Sequence, residues 1–100
     1  MTEISILIDD YEEICANILL SGINNRDSIN IQELLELVGR SRSYGLEYGA
    51  ELLENIIGIY KKEAFAVVNP KKAQSIMKFF SYVEILKEEF EKNLFLNHLK

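Results

Sequence analysis

The chain has 100 residues, of which 48% are hydrophobic and 27% are charged, and this balance predicts one soluble globular domain over residues 1–100. A net charge of −5 disfavours nucleic acid and anionic membranes as partners, because both are negatively charged. The single cysteine, Cys15, and the single histidine, His98, exclude an internal disulfide and a Cys or His ligand pair. We therefore expect a cytoplasmic protein without a cofactor, a metal site or a membrane span.

Helix one is predicted from the spacing of its apolar residues. These recur at steps of three and four from Ile4 to Ile18, which places them on one face of a helix. The helix is predicted over residues 4–21 and ends at Gly22. The Gly, Asn, Asp and Ser that follow are typical of a loop.

Helix two is predicted from its capping residues. Asn30 has the side chain of an N-cap, and Glu33, three residues further on, completes a capping box. We predict helix two over residues 31–38, with Gly39 as its left-handed terminator.

The remaining chain is predicted to form two long helices. An unbroken apolar heptad from Leu46 to Val67 predicts one helix over residues 43–69, in which two glycines are weak points. Asn69 and Pro70 form an N-cap and N1 pair that starts a fourth helix, over about residues 70–97. The apolar stripe of this helix consists of Ala73, Ile76, Phe80, Val83, Phe90 and Leu94. Four amphipathic segments predict a mainly α, four-helix antiparallel bundle-like single domain.

An alternative for residues 57–68 is a short β-hairpin, because Ile and Val favour strands. Its turn would lack a Gly, Asn or Asp to supply a positive φ. The fold class would then be α+β. With this hairpin, residues 58–76 resemble the strand, turn, strand and helix of Phd/YefM-type antitoxins, whereas the residues upstream do not follow that family.

The sequence holds no motif that predicts catalysis. Neither a dinucleotide-binding glycine pattern, nor a P-loop, nor an H-E-x-x-H zinc motif can be aligned. His98 lies close to the C-terminus, where a catalytic triad would lack a rigid orienting partner. Cys15 is predicted to be a small core residue, since Glu12 and Glu13 beside it disfavour a thiolate. We therefore expect that the protein is not an enzyme.

Residues 31–43 can be aligned with a helix, a glycine turn and the start of a second helix (Ile-Gln-Glu-Leu-Leu-Glu-Leu-Val-Gly-Arg-Ser-Arg-Ser). This stretch resembles a helix-turn-helix DNA-binding unit, in which a Gln opens the motif and a glycine ends the first helix. Leu35, Arg40 and Gly45 depart from that pattern, and the second helix continues into glutamates that would repel phosphates. The resemblance implies a DNA-binding regulator that uses Arg40, Arg42 and Ser43.

Charge is distributed unevenly along the chain. Residues 1–58 hold eleven acidic residues against three arginines, whereas residues 59–100 hold five acidic residues against eight lysines. Several tyrosines lie among the acids of the first part. Tyrosine rings provide desolvated contact area, and carboxylates steer a basic protein toward such a surface. The candidate partner-binding residues are Asp10, Tyr11, Glu13, Tyr44, Glu47, Tyr48, Glu51 and Glu54.

We interpret these residues as an acidic, Tyr-containing face of a non-enzymatic inhibitor that masks a basic site on a partner protein. A toxin-neutralising immunity protein or a phage-encoded antagonist would act in this way, and the partner would be a basic protein such as a toxin or nuclease. Two other functions stay open: the DNA-binding regulator, and a bundle that self-associates through an exposed heptad of helix three. The sequence does not decide between monomer and homodimer. Alternatively, Tyr11 and Tyr48 are core residues with solvated hydroxyls.

Overall fold

The computed structural model describes residues 3–22, 29–61 and 70–98, with the side chains of the last helix described from residue 73 to residue 93. These residues form α-helices and no strand, so the mainly α prediction is confirmed. The helices are α1 (Glu3–Ser21), α2 (Ile31–Ser43), α3 (Glu47–Lys61) and α4 (Pro70–His98). None of these four is long and apolar enough to cross a lipid bilayer.

The four helices pack as a closed ring in chain order. α1 packs on α2, α2 on α3, α3 on α4, and α4 returns to α1. Glu3 contacts Tyr44 while Asp10 contacts Arg40, so α1 and α2 run in opposite directions. The arrangement is the predicted antiparallel bundle, drawn out to 53 × 21 × 19 Å because α4 alone has 29 residues.

The predicted end of α1 and the predicted start of α2 are confirmed. α1 ends where Gly22 adopts a φ of +87° and its N–H donates to the Ile18 carbonyl at 2.9 Å. The Asn30 side chain accepts hydrogen bonds from the N–H groups of Gln32 at 3.0 Å and Glu33 at 3.3 Å. These bonds satisfy backbone groups that a helix end otherwise leaves without an intrahelical partner.

The predicted end of α2 at Gly39 is wrong. The helix continues to Ser43, and the chain turns at Gly45, whose φ is +76°. There the N–H of Leu46 donates to the Ser41 carbonyl at 2.9 Å and the N–H of Gly45 to the Arg42 carbonyl at 3.0 Å, which are the two hydrogen bonds of a Schellman motif. The helix continues because the face that it buries is continuous across the glycine, and this burial outweighs the cost of about 1 kcal/mol for a helical glycine. The buried side chains are Leu34, Leu37, Val38 and Ser41.

α3 begins later than the long helix that the sequence predicts. It begins at Glu47, after the turn, so the predicted start at residue 43 is wrong. It is helical through Lys61, which contradicts the first strand of the hairpin alternative, residues 57–60, and with it the antitoxin resemblance. The rest of the predicted helix and the second strand of the hairpin lie in residues 62–69, outside the described residues.

The apolar heptad of α3 faces the core. Ala50, Leu53, Ile57 and Tyr60 are all buried. The self-association alternative required this stripe to be exposed, so the surface that it names is not accessible in the folded chain. Ala64 and Val67, which complete the predicted heptad, lie outside the described residues.

One layer of the core joins all four helices. Tyr11 of α1 is hydrogen-bonded to the buried Ser41 hydroxyl of α2 and packs edge-on against Phe79 of α4, with ring centroids 5.6 Å apart. α3 contributes Gly49, where a Cβ would lie 2.9 Å from the Tyr82 ring and 3.1 Å from the Tyr11 hydroxyl. Gly49 is therefore not a weak point of the helix but the place where two tyrosines approach its backbone.

Candidate functional site

The predicted partner-binding residues are distributed over three of the four helices. Asp10, Tyr11 and Glu13 lie on α1, Tyr44 caps the end of α2, and Glu47, Tyr48, Glu51 and Glu54 lie on α3. α2 and α4 lie between α1 and α3. The structure therefore does not join all eight residues into the single acidic face that the sequence predicts.

Tyr11 is a core residue, so its assignment to a binding surface is wrong. Its side chain is 0% exposed. The apolar spacing of helix one therefore predicted the environment of Tyr11 correctly, whereas its acidic sequence neighbours did not. The Ser41 hydroxyl donates to the Leu37 carbonyl at 2.6 Å, which leaves the Tyr11 hydroxyl to donate to Ser41. Burial raises the pKa of the Tyr11 phenol. The core alternative is thus correct about the burial of Tyr11, but it expected a solvated hydroxyl, and the hydroxyl is instead bonded to Ser41 inside the core.

Asp10 and Tyr44 hold α1 against α2. Asp10 forms an ion pair with Arg40 at 2.7 Å, and the Tyr44 hydroxyl donates to the Glu3 carboxylate at 2.5 Å. That hydrogen bond is the main cause of the raised pKa of Tyr44. Glu13 is exposed and forms no ion pair with any described residue. Asp10 and Tyr44 are therefore occupied within the chain, and Glu13 stands apart from the group on α3.

Three glutamates form an exposed stripe along α3, and Arg42 of α2 lies against two of them. Arg42 Nε is 3.4 Å from a Glu47 carboxylate oxygen, and its Nη2 pairs with Glu54. The hydrogen bond to Glu54 is the main cause of the raised pKa of Arg42. Glu51 forms no ion pair within the part of the chain that the structure describes. One arginine against three carboxylates leaves the stripe negative, with Glu51 open to a partner.

Tyr48 is the tyrosine among the predicted partner-binding residues of α3, and it is 55% exposed. Its ring packs edge-on against Tyr82 of α4, with centroids 5.5 Å apart and planes at 72°. The pKa of Tyr82 is raised to about 12, mainly because its phenol is removed from water. A partly buried ring therefore orients Tyr48 while much of its surface remains open, which is the condition for an aromatic anchor at an interface.

A groove of about 710 Å³ lies beside Tyr48, along the outer face of α4. Met77 and Ile85 line it and are 60% and 57% exposed. The sequence prediction did not include either residue, because it followed one apolar stripe along helix four. The signal that was present is a second row at a spacing of four residues, Met77, Ser81 and Ile85, which lies off the core stripe.

Two kinds of reactive group were sought among the described residues: a metal-binding cluster and an activated thiol. Within the described ranges, no three His, Cys, Asp or Glu side chains are close enough to hold a metal ion. Cys15 is half-buried, and desolvation, with the charges of Glu12 and Glu84, raises the pKa of its thiol to about 12. A thiol with this pKa is protonated at neutral pH and is a poor nucleophile.

The helix-turn-helix alternative does not match the geometry on which its resemblance depends. Gly39 is helical, so the chain does not turn there. Arg40 and Arg42 are paired with carboxylates of α1 and α3, and the Ser43 hydroxyl donates to the Arg40 carbonyl at 2.7 Å. DNA binding by these residues stays a prediction that no contact described here supports.

Comparison with known proteins gives no relative for this chain. No protein-family model, no curated protein sequence and no solved structure matches it. The function is therefore inferred from the geometry and charge of the surface described above.

Proposed function

We propose that the protein is a non-enzymatic inhibitor that binds a basic protein through the exposed face of α3 and masks a basic site on it. A toxin-neutralising immunity protein or a phage-encoded antagonist works in this way. The observation that carries the proposal is the position of Tyr48, which is 55% exposed one helical turn from Glu51, a carboxylate without an ion pair among the described residues.

The ring and the carboxylates have different roles in this proposal. Burying the exposed part of Tyr48 in a partner would contribute on the order of 1 kcal/mol of binding free energy through the apolar area removed from water. The carboxylates would accelerate encounter with a basic surface and select against acidic proteins, more than they would add to affinity. An exposed tyrosine beside the carboxylates of α3 thus supports recognition of a basic protein surface.

Arg42 does not prevent this role for the stripe. The ion pairs of Arg42 with Glu47 and Glu54 are exposed, and exposed ion pairs contribute little to stability because water and salt screen them. A lysine or arginine of the partner can join or replace Arg42 at little cost. The pairs also hold the two carboxylates in place, which reduces the side-chain entropy lost on binding.

The proposal is tested by capturing the partner from the native host, identifying it, and measuring its affinity for two variants. The first variant carries Glu47→Gln, Glu51→Gln and Glu54→Gln. We expect this variant to bind at least about tenfold more weakly at low salt, with a smaller difference at high salt, since salt screens the lost charges.

The matched control carries Glu33→Gln, Glu36→Gln and Glu91→Gln, which removes the same charge from exposed positions of α2 and α4. Its affinity should change less than about twofold. If both variants lost affinity for the partner equally, affinity would depend on the net charge of the protein and not on the α3 stripe. An acidic partner, a nucleic acid partner, or unaltered binding of the α3 variant would overturn the proposal.

A further inference from the structure

Arg42 extends from the last turn of α2 onto the exposed stripe of α3. Its Nε is 3.4 Å from a Glu47 carboxylate oxygen, and its Nη2 pairs with Glu54. These two glutamates lie two helical turns apart, which is about 10 Å along the helix axis. The planar guanidinium bridges them because its N–H groups point in several directions. One cation of the chain itself therefore occupies two of the three carboxylates that the proposed function assigns to the partner.

The backbone holds Arg42 permanently beside this stripe. Ser41 before it is fully buried and donates to the Leu37 carbonyl, and the N–H of Gly45 after it donates to the Arg42 carbonyl at 3.0 Å. A group attached in this way competes with outside cations at a high effective concentration. The Arg42 side chain is nevertheless 43% exposed, so an outside cation can reach its carboxylates and displace it.

We propose that Arg42 is an intramolecular competitor of the partner, which occupies Glu47 and Glu54 in the free protein and is displaced from them on binding. The inference rests on the proposed function and specifies how that site is regulated. The first basic group of the partner meets Glu51, which forms no ion pair among the described residues. Further basic groups reach the other two carboxylates only in exchange for Arg42. The contact therefore selects partners with several closely spaced cations, because a protein with one cation gains only Glu51.

A positioning role for Arg42 would have the opposite effect on affinity. By holding Glu47 and Glu54 in place, Arg42 reduces the side-chain entropy that is lost on binding. Exposed ion pairs restrict their side chains weakly, however, because water and salt screen them. A partner cation and Arg42, in contrast, need the same carboxylate oxygens, and like charges brought to one site repel each other. We therefore expect competition to outweigh positioning, and the sign of the change in affinity distinguishes the two.

The first experiment measures the affinity of the protein for fluorescein-labelled octalysine by fluorescence anisotropy at low salt. Octalysine supplies closely spaced cations without the apolar contacts of a protein partner. We expect Arg42→Gln to bind it at least about threefold more tightly than the unaltered protein, with a smaller difference at high salt. Circular dichroism confirms that this variant folds, which is expected because the ion pairs of Arg42 are exposed.

A matched control separates competition from a general effect of charge. Arg40→Gln removes the same charge from α2, but Arg40 pairs with Asp10 of α1 and not with the stripe. We expect its gain in affinity to be at most about half that of Arg42→Gln. Both substitutions are also made in a Glu47→Gln, Glu54→Gln variant, which lacks the carboxylates that Arg42 occupies. There Arg42→Gln should give no larger gain than Arg40→Gln, because only the general effect of charge remains.

The second experiment observes the displacement directly by NMR. The chain contains three arginines and octalysine contains none, so the resonances of the arginine Nε–Hε groups report on the protein alone. The resonances of Arg40 and Arg42 are assigned by their loss in the two glutamine variants. As octalysine binds, we expect the Arg42 resonance to move toward that of a free arginine side chain and the Arg40 resonance to stay in place.

The inference is overturned if octalysine does not bind, or if Arg42→Gln binds it no more tightly than Arg40→Gln does. It is also overturned if the advantage of Arg42→Gln persists without Glu47 and Glu54, or if the Arg42 resonance does not move at saturation.

The proposed function is decided by a different measurement, the affinity of the captured partner for the triple glutamine variant of α3. If that affinity falls while Arg42→Gln has no effect on octalysine binding, the stripe remains the partner site and Arg42 is not its competitor. If octalysine displaces Arg42 but the captured partner binds the triple variant normally, the α3 site assignment is wrong and the inference about the partner is wrong with it.

Discussion

The hydroxyl groups of Tyr11 and Ser41 form a short chain of hydrogen bonds inside an otherwise apolar core. Tyr11 donates to Ser41, and Ser41 donates to the Leu37 carbonyl. Both side chains are fully buried, so neither can bond to water if the other is removed. A buried hydroxyl without a partner costs about 1–3 kcal/mol, whereas the loss of both hydroxyls together costs less than the separate losses predict.

We therefore expect Ser41→Ala to lower the free energy of unfolding by about 1–3 kcal/mol, because it leaves the Tyr11 hydroxyl unsatisfied. Tyr11→Phe should cost about 1 kcal/mol, since Ser41 keeps its bond to Leu37. Urea unfolding of the two single variants and the double variant measures the coupling. Additive losses would show that the two hydroxyls do not interact.

The sequence predicted which side of helix one is buried but not the role of each residue on it. Tyr11 fits the apolar spacing of the helix and also lies among acidic residues, so the pattern supported both a core and a surface assignment. The deciding contact is with Ser41, thirty positions away. Local periodicity contains no information about such a long-range partner.

The C-terminal end of α2 shows how burial decides which of two glycines ends a helix. Both Gly39 and Gly45 could end a helix by their intrinsic preference. The buried face continues to Ser41, beyond Gly39, and the left-handed turn falls at Gly45 instead. The two positions differ in what an added methyl group would do, because Gly39 is helical with open space around it and Gly45 has a positive φ.

We expect Gly39→Ala to raise the free energy of unfolding by about 0.5–1 kcal/mol, as alanine is the better helix former. Gly45→Ala should lower it by about 1–2 kcal/mol, because a side chain is strained at that φ. Thermal unfolding of both variants, followed by circular dichroism, measures the two shifts. If α2 ended at Gly39, as the sequence analysis predicted, the two signs would be reversed.

The faces of α4 were only partly predictable. Ile76 and Val83 are buried, as their spacing predicts, and the fully buried Phe79 beside them was not assigned to the core stripe. Met77 and Ile85 form a second apolar row that remains exposed. A helix with apolar residues on two faces does not reveal from its sequence which face meets its own core. The groove beside Tyr48 could therefore be recognised only after α3 was placed beside α4.

At the scale of the whole molecule, several buried groups disfavour the folded state at high pH. Burial is the main cause of the raised pKa values of Tyr11, Tyr60, Tyr82 and Cys15, with those of Tyr82 and Cys15 at about 12. In the unfolded chain the thiol ionises near pH 8.5 and the phenols near pH 10. The unfolded state thus releases protons first, and stability falls as pH rises through that window toward the folded pKa values.

We expect the urea midpoint to change little below about pH 8 and to fall steadily from about pH 9 to about pH 11. Tyr82→Phe removes one of the groups responsible and should make the fall shallower. Urea titrations of both proteins across this range measure the difference. A midpoint that stays constant up to about pH 11, or identical slopes for the two proteins, would contradict these pKa directions.

The class of fold and the acidic stripe of α3 could be read from the sequence, because both depend on local spacing. What could not be read is how the ring of helices distributes the charges. Arg40 and Arg42 of α2 neutralise carboxylates on both neighbouring helices, so Asp10 is occupied and Glu51 is left open. Ion pairing between helices depends on their packing, which residue spacing within one helix does not specify.

Carboxylate footprinting tests most directly whether the face of α3 binds a basic protein. The protein, free and bound to the partner captured from its host, is treated with a carbodiimide and an amine, and each modified glutamate is quantified by mass spectrometry. We predict that Glu51 becomes strongly protected in the complex while Glu13 and Glu36 are modified as in the free protein. Unchanged modification of Glu51, with protection confined to α1 or α2, would contradict the account.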